Sequence, residues 1–304
     1  MRLISACDLR AALTWEKSIA ALRSGHQAST PLTQDMLLQD GAFSLFGRGV
    51  IMPGHGAGMK VASIFPPWAG LNPPEPSEDA LFLLIGERSK RIELVLDGPE
   101  LTRWKTGADS ALGSQLLSRE DSRTLLVIGA GPIAAALCQA HLFVRPGISE
   151  VLMWNRTPGR LTTLQEQVTR HGRKATIVDD LSEAVTRSDI ITSATGSTTP
   201  LVLGDWVSPG CHVDLVGSFA PHMREADDAL MARAQVYVDY RESALNGPGD
   251  ILIPLQSGIL TPETIRGDLF DMVQKAPERA QEDVTVFKNA GGAHLDLLVA
   301  SALC

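Results

Sequence analysis

The sequence predicts an α/β protein built on a doubly wound parallel sheet. A short apolar, β-prone run at 124–128 leads directly into the motif Gly129-x-Gly131-x-x-Ala134, and a helix-prone segment follows it. From residue 124 onward, strand-like and helix-like segments alternate, as the crossover connections of a parallel sheet require. These observations indicate a Rossmann-type sheet in the second part of the chain, joined to an α+β domain formed by the first part.

The first part of the chain predicts strands and helices that do not alternate in this way. Residues 1–28 are expected to form a strand fragment and an amphipathic helix, whose apolar stripe includes Trp15, Ile19 and Leu22. Further elements are predicted as strands at 42–52, 59–64 and 80–96, a proline-rich loop at 65–76 and a helix at 101–117.

The second part of the chain supplies the elements of the parallel sheet. Strands are predicted at 125–128, 151–154, 175–178, 190–193, 212–216 and 236–239, and helices at 134–143, 160–171, 181–186 and 224–234. A final apolar helix at 293–303 has no strand context, and we expect it to return to the first domain.

The glycine motif has the strand–turn–helix setting of a dinucleotide site. Gly129 allows the tight turn, Gly131 lets a pyrophosphate approach the backbone, and Ala134 lets the helix pack close to the strand. Pro132 and Ile133 begin the helix, whose free N–H groups and positive dipole end favour phosphate. The motif therefore predicts a bound dinucleotide.

The end of the next strand indicates which dinucleotide is bound. An NAD site usually has Asp or Glu there, about twenty residues after the glycines, to bind the ribose 2′-hydroxyl. This chain has Asn155, Arg156 and Thr157 instead. A guanidinium and two neutral polar groups suit a 2′-phosphate, which a carboxylate would repel. We predict NADPH, with NADH left open as an alternative coenzyme and a solvated Arg156 as the alternative interpretation.

Composition excludes several other classes of function. The net charge of −8 argues against a nucleic-acid partner. No apolar run is long enough to span a bilayer, and the N-terminus reaches an acid too soon for a signal peptide. The four cysteines are scattered singly, which predicts neither a metal site nor a disulfide framework. We expect a cytoplasmic protein without a membrane partner.

Motifs along nearly the whole chain resemble those of the ornithine cyclodeaminase/μ-crystallin family. The matching segments are 58–60, 101–111, 127–131, 192–195, 216–221 with 224–225, and 286–296. The resemblance implies a homodimer. It also implies that residues 1–120 with 288–304 form a substrate-binding and dimerisation domain, and that residues 121–287 form an NADP-binding Rossmann domain.

Phe219 separates the activities found within this family. It falls where the cyclodeaminases have a catalytic Asp, and a phenyl ring cannot transfer a proton. The run 217–225 resembles that of the family's bacterial imino-acid reductases. The resemblance thus implies NADPH-dependent reduction of Δ1-pyrroline-2-carboxylate to L-proline, an activity of hydroxyproline catabolism in bacteria. Δ1-piperideine-2-carboxylate, reduced to L-pipecolate, is a second expected substrate. An ornithine cyclodeaminase, an alanine dehydrogenase-like enzyme and a non-catalytic crystallin-like NADPH-binding protein stay open.

The resemblance assigns the substrate carboxylate to Lys60 and Lys105, which we take as the catalytic pair. Lys105 stands where the family usually has Arg, so the bidentate guanidinium fork is lost. Arg48 and His55 are further substrate-binding candidates. For each lysine the alternative is an ordinary solvated side chain, and Asp296 is expected to pair with a lysine or the backbone at a helix end.

Further coenzyme contacts follow from the same resemblance. They are expected at Thr195, Ser218, Phe219 and Asn289, which follow strand ends or match the family's cofactor positions. Thr106 is expected at a helix start, where its hydroxyl and the free N–H groups can meet a coenzyme phosphate or the substrate.

Overall fold

The computed structural model describes residues 1–28, 30–65 and 78–304, and the chain forms two compact units. Unit 1 consists of residues 1–105 with 292–304, and unit 2 of residues 106–291. The sequence places these boundaries at 120/121 and 287/288. The difference arises within helix α3 (Gly98–Leu117), because its second half packs inside unit 2. There a Cβ at Gly113 would lie 2.7 Å from the Phe287 ring.

Unit 1 carries, among the described residues, a six-stranded sheet in the order β1–β6–β5–β4–β3–β2. Its elements are β1 (Arg2–Ile4), α1 (Ala6–Ala12), α2 (Trp15–Gly25), β2 (Leu32–Asp40), β3 (Phe43–Met52), β4 (Gly56–Ile64), β5 (Glu78–Ile85), β6 (Ile92–Asp97) and α11 (Ala293–Ser301). Strand β2 was not predicted. The strand predicted at 80–96 is two strands, which are joined by a turn where Lys90 has a φ of 57°. The proline-rich loop predicted at 65–76 lies, except for Phe65, outside the described residues.

The two faces of this sheet differ in what covers them. Helix α11 packs against β3, β4 and β5 and against α2. The helices approach closely, since a Cβ at Gly25 would lie 2.2 Å from Leu298. The buried side chains of Val50, Met52 and Phe82 belong to this covered face. The opposite face, here called the outer face, exposes the apolar side chains of Leu32, Met36, Leu38, Phe43, Leu45, Ile51 and Leu81.

Unit 2 contains the predicted doubly wound parallel sheet. Its order among the described residues is β12–β13–β11–β10–β7–β8–β9, and every strand pair is parallel. The strands are β7 (Thr124–Ile128), β8 (Glu150–Trp154), β9 (Lys174–Ile177), β10 (Ile190–Ser193), β11 (His212–Leu215), β12 (Gln235–Val238) and β13 (Thr285–Lys288). Six of them match the predicted strands, whereas β13 was not predicted. The order reverses at β7, which lies between β8 and β10.

The helices of unit 2 agree with the sequence in part. They are α4 (Pro132–Val144), α5 (Thr162–Arg170), α6 (Leu181–Thr186), α7 (Asp228–Arg233), α8 (Arg241–Asn246), α9 (Gly249–Gln256) and α10 (Leu269–Gln274). The helix predicted at 224–234 begins only at Asp228, because Asp227 caps it by accepting the N–H of Leu230. Helices α8, α9 and α10 were not predicted. Within the described ranges, no helix is long and apolar enough to cross a membrane.

Candidate active site

A cavity of about 440 Å³ opens in unit 2 at the carboxyl ends of β7, β8 and β10. Residues that directly follow these strands, Gly129, Asn155 and Ala194, all line it. The complete lining is Gly129, Ala130, Gly131, Trp154, Asn155, Arg156, Arg160, Ala194, Thr195, Gly196, Ser197, Thr199 and Leu201. The strand order reverses at this point, and open α/β sheets bind their ligands at such a reversal.

The glycine turn has the geometry that the motif predicts. Gly129 has a φ of 124°, and a Cβ there would lie 2.5 Å from the carbonyl oxygen of Ala194. Position 129 therefore requires glycine for its backbone and for the space around it. Gly131 is the N-cap residue of α4, and a Cβ there would meet nothing within 4 Å. The turn thus leaves open space beside the N-terminus of α4, as a pyrophosphate needs.

Helix α4 begins as expected, with Pro132 at its first position and Ile133 and Ala134 in its first turn. Ala134 is buried, and its side chain belongs to the apolar cluster between α4 and the sheet. No side chain caps the N-terminus of α4. Its first N–H groups have no partner within the helix, and Gly131 leaves open space at this end of α4, an arrangement that suits an anion.

Two guanidinium groups line the edge of the cavity that follows β8. Arg156 and Arg160 are both exposed, and among the described residues neither forms an ion pair. No carboxylate is among the residues that line the cavity. Thr157 occupies the N-cap position of the 3₁₀ helix Pro158–Leu161 without a side-chain capping hydrogen bond, and it does not line the cavity. Arg160 was not predicted, although its position one short turn after Arg156 could have indicated that it lies at the same edge of the cavity.

The segment 194–201 forms the opposite wall of the cavity, and the predicted residue Thr195 belongs to it. The backbone N–H and the hydroxyl of Thr195 both donate to Oε1 of Glu225, at 2.8 Å each. Glu225 is fully buried, and it was not among the predicted residues.

Thr106 does not lie at a helix start as predicted, because α3 already begins at Gly98 and Thr106 is in its interior. The other predicted coenzyme residues occupy three different environments in unit 2. The buried hydroxyl of Ser218 donates to the carbonyl oxygen of Met223 at 2.8 Å, and Phe219 is 74% exposed. Asn289 is buried, and its side-chain amide donates to the carbonyl oxygen of Thr106 and to the hydroxyl of Ser110. None of these residues lines the cavity described above.

Unit 1 brings together Lys60 and Lys105, the two lysines selected from the sequence. They share the fully buried carboxylate of Asp296, which lies 3.3 Å from Lys60 Nζ and 2.7 Å from Lys105 Nζ. Lys60 also donates to the hydroxyl of Thr102 at 2.5 Å, and Lys105 donates to the carbonyl oxygen of Gly292 at 3.2 Å.

Burial and charge act in opposite directions on this cluster. Burial would raise the pKa of Asp296, but the ammonium groups of Lys105 and Lys60 outweigh it and hold that pKa below its ordinary value. Burial lowers the pKa of Lys105, and Asp296 opposes this effect. One carboxylate between two ammonium groups leaves one positive charge, which suits an anionic ligand.

Arg48 and His55 take different places on the same hairpin. Arg48 pairs with Lys60 across β3 and β4, but its guanidinium is held by Asp35 through two hydrogen bonds of 2.8 and 2.6 Å. His55 lies in the turn that joins the two strands, several residue pairs away from Lys60. Of the two, only Arg48 stands beside the lysines.

The cavity at the strand ends is that of a Rossmann-type nucleotide-binding protein. A sequence model of the ornithine cyclodeaminase/mu-crystallin family matches residues 24–303. The chain belongs to this family. Among the described residues, no group of three or more His, Cys, Asp or Glu is placed to hold a metal ion.

Three relatives show how far the similarity extends. The Δ1-pyrroline-2-carboxylate reductase of Paracoccus denitrificans is 42% identical over 298 residues, which are 97% of this chain and 93% of that protein. The ketimine reductase mu-crystallin of Mus musculus is 35% identical over 226 residues, covering 74% of this chain and 68% of its own. The solved structure of Thermococcus litoralis Δ1-pyrroline-2-carboxylate reductase with NADH and L-proline has a TM-score of 0.90. It is 26% identical, and the match covers 100% of this chain and 96% of that one.

Proposed function

We propose that this protein reduces the C=N bond of a cyclic imino acid, converting Δ1-pyrroline-2-carboxylate to L-proline with NADPH. The observation that carries the proposal is the similarity, over nearly the full length of both chains, to a relative named for this reaction. The six-membered ring of Δ1-piperideine-2-carboxylate is proposed as a second substrate. Phe219 supports reduction over cyclodeamination, because it leaves no acid at the position that the cyclodeaminases use.

The cavity of unit 2 supports a nicotinamide dinucleotide as the coenzyme, which supplies the hydride when bound. Gly129 and Gly131 would hold its pyrophosphate beside the N-terminus of α4. Arg156 and Arg160 favour the phosphorylated form, since two guanidinium groups without a carboxylate partner can donate several charge-assisted hydrogen bonds to a 2′-phosphate. Asn155 would complete this edge of the site.

The lysine cluster of unit 1 supports recognition of the substrate carboxylate. Lys60 and Lys105 carry two positive charges against the single charge of Asp296, and both ammonium groups are largely shielded from water. A charge in such a site is screened less than a charge on the surface, so a carboxylate ligand would gain more from it. Asp296 would orient the two ammonium groups and offset their mutual repulsion.

The outer face of unit 1 supports a homodimer. The apolar side chains of this face, on β2, β3 and β5, form a contiguous surface whose exposure to water is unfavourable. A second copy of the chain would cover this surface. We place the dimer contact on this face.

Steady-state turnover tests the proposed activity. Purified protein should oxidise NADPH in the presence of Δ1-pyrroline-2-carboxylate and release L-proline, with a lower rate for NADH. Ornithine without added coenzyme, and pyruvate with ammonia and NADH, serve as controls for the two other enzymatic activities of the family. Tight binding of NADPH without turnover of either imino acid would point instead to a crystallin-like binding protein.

A further inference from the structure

The wall of the cavity formed by 194–201 is held by a neighbouring segment of the chain. The N–H of Arg224 donates to the carbonyl oxygen of Ser197, and the N–H groups of Leu201 and Val202 donate to the carbonyl oxygen of Glu225, all within 2.9 Å. Val202 and Ala226 form an isolated parallel bridge. The position of this wall therefore depends on the short segment around Glu225.

The side chain of Glu225 also accepts hydrogen bonds from residues at the ends of two strands, β10 and β11. Oε1 accepts the hydroxyl of Ser193 at 2.6 Å and both the N–H and the hydroxyl of Thr195 at 2.8 Å. Oε2 accepts the N–H of Gly217 at 2.6 Å. Each of these hydroxyl and N–H groups donates a hydrogen bond to Glu225, so the arrangement suits the ionised carboxylate. A protonated oxygen would itself be a donor, and it would face another donor.

Gly217 shows how closely the two strand ends approach each other. A Cβ at this position would lie 2.1 Å from the carbonyl oxygen and 2.2 Å from the nitrogen of Thr195. No side chain fits between the segments that follow β10 and β11. The carboxylate of Glu225 lies at this approach and accepts hydrogen bonds from both segments.

The charges around Glu225 come from three other elements. Asp250 of α9 accepts the N–H groups of Glu225 and Ala226 and lies 3.3 Å from Nζ of Lys288 on β13, while Asp239 follows β12. Burial and then the charge of Asp250 raise the pKa of Glu225 to about 7, against the effect of Lys288 and of the hydrogen bonds. Burial raises the pKa of Asp239 to about 6, opposed by backbone N–H donors that include those of Tyr240 and Gly291.

We propose that Glu225 is a positioning residue of the coenzyme site, whose ionised carboxylate holds Thr195 and Gly217 in the conformation that binds the dinucleotide. The proposal rests on the coenzyme assigned above and adds a residue that does not line the cavity. Protonation of Glu225 removes at least one of its accepted hydrogen bonds, so coenzyme binding weakens as the pH falls through neutrality.

The first test replaces the carboxylate by an amide of the same shape. In E225Q one oxygen still accepts, but the new NH₂ group faces a donor. We expect the Kd for NADPH, from fluorescence titration at pH 8, to rise at least tenfold. At saturating NADPH, kcat should change less than threefold. E282Q, an exposed residue of the same unit, is the matched control and should bind like the parent. Thermal unfolding monitored by circular dichroism shows whether E225Q is folded.

The second test follows the pH dependence of NADPH binding, which a merely structural role would leave unchanged. D250N keeps an oxygen for the N–H groups of Glu225 and Ala226 but removes the charge that raises the pKa of Glu225, so the midpoint of the binding curve should move to lower pH. S193A removes one donor to the ionised carboxylate, so its midpoint should move to higher pH. The phosphate of the coenzyme also titrates, but it contributes equally to all three proteins.

The outcomes separate this proposal from the proposed function. A parent protein that binds neither NADPH nor NADH would contradict the coenzyme assignment itself. A parent protein that binds NADPH, together with an unchanged Kd in E225Q, would overturn the role of Glu225 alone. If E225Q does not fold, identical midpoints in the parent, S193A and D250N would overturn it equally.

Discussion

Lys105 and Asp296 form a buried ion pair, with Nζ of the lysine 2.7 Å from Oδ2 of the carboxylate. The other oxygen of Asp296 lies 3.3 Å from Nζ of Lys60, so the single negative charge of Asp296 neutralises one of the two positive charges. The two lysines differ in their exposure to solvent. Lys60 keeps some exposure and is the more accessible of the two, while Lys105 is almost fully enclosed.

Replacing Lys60 should weaken substrate binding and leave coenzyme binding intact. In K60M the cluster loses its net positive charge, and we expect the KM for Δ1-pyrroline-2-carboxylate to rise at least tenfold, about 1.4 kcal/mol. The Kd for NADPH should change less than twofold. K275M, at an exposed position of unit 2, is the control. Steady-state kinetics that match those of the parent would remove Lys60 from the carboxylate site.

Asp296 should matter more for stability than either lysine does. D296N keeps the shape of the side chain but leaves two neighbouring ammonium groups without a counter-charge, one of them buried. We expect a loss of about 3 kcal/mol in the free energy of unfolding, measured by urea denaturation. D205N, an exposed aspartate, should change stability by less than about 0.5 kcal/mol. Equal stability of the two variants would mean that Asp296 is not needed to neutralise the lysines.

The two guanidinium groups at the end of β8 should set the preference between coenzymes. R156A and R160A each remove charge-assisted hydrogen bonds to a 2′-phosphate, so the KM for NADPH should rise on the order of tenfold in each. The KM for NADH should stay within twofold. R170A, an exposed arginine on α5 that does not line the cavity, is the control. If the KM values for NADPH and NADH rose equally, the arginines would not be binding the 2′-phosphate.

The two glycines of the turn should respond differently to the same substitution. G131A adds a methyl group where the protein leaves open space beside the cavity, so we expect unchanged thermal unfolding and at least a tenfold weaker Kd for NADPH. G129A forces alanine to a φ of 124° and against the carbonyl oxygen of Ala194, so it should destabilise unit 2 by about 2 kcal/mol or more. G159A, also in open space but not lining the cavity, is the control. Tight NADPH binding by G131A would contradict the placement of the pyrophosphate.

The outer face can be tested with two adjacent leucines of β2. Leu38 lies on the outer face and Leu37 on the other face of the strand, and their side chains are 58% and 59% exposed. A buried charge in an apolar contact is costly, so L38E should shift the protein from dimer to monomer in size-exclusion chromatography with light scattering. L37E should leave the dimer intact. A parent protein that is monomeric at micromolar concentration would refute the dimer.

The sequence predicted those parts of the fold whose pattern is local. The strands β7 and β8 are buried on both faces, so they appear as apolar runs, and the glycine turn follows its own spacing rule. Strand β2, with the sequence LTQDMLLQD, has no such run, because it lies at the edge of its sheet with most of its residues exposed. Strand β13 is only four residues long and ends in a lysine. Helix α9 contains Pro254, a residue that predicts the end of a helix rather than its interior.

The residues of the candidate site likewise differ in whether a local sequence pattern predicts them. The place of Arg156 in the cavity lining was predictable, because it depends on a fixed distance from the glycine motif along the chain. The clustering of Glu225, Asp250 and Lys288 was not, because the crossovers of the sheet bring them together from distant parts of the sequence. Lys288, a charged residue at the end of a buried strand, is a local sign that an acid lies nearby.

The edge of the cavity that follows β8 is made by side chains at the surface, whereas Gly129 and the carboxylate of Glu225 belong to the packed interior. With the 2′-phosphate bound here as proposed, evolution or a protein engineer could exchange one reducing coenzyme for the other by a few solvent-side replacements at positions 155, 156 and 160. Such a change would cost little stability, so the supply of reducing equivalents in a cell, rather than the tolerance of the scaffold, would decide which form of the enzyme persists.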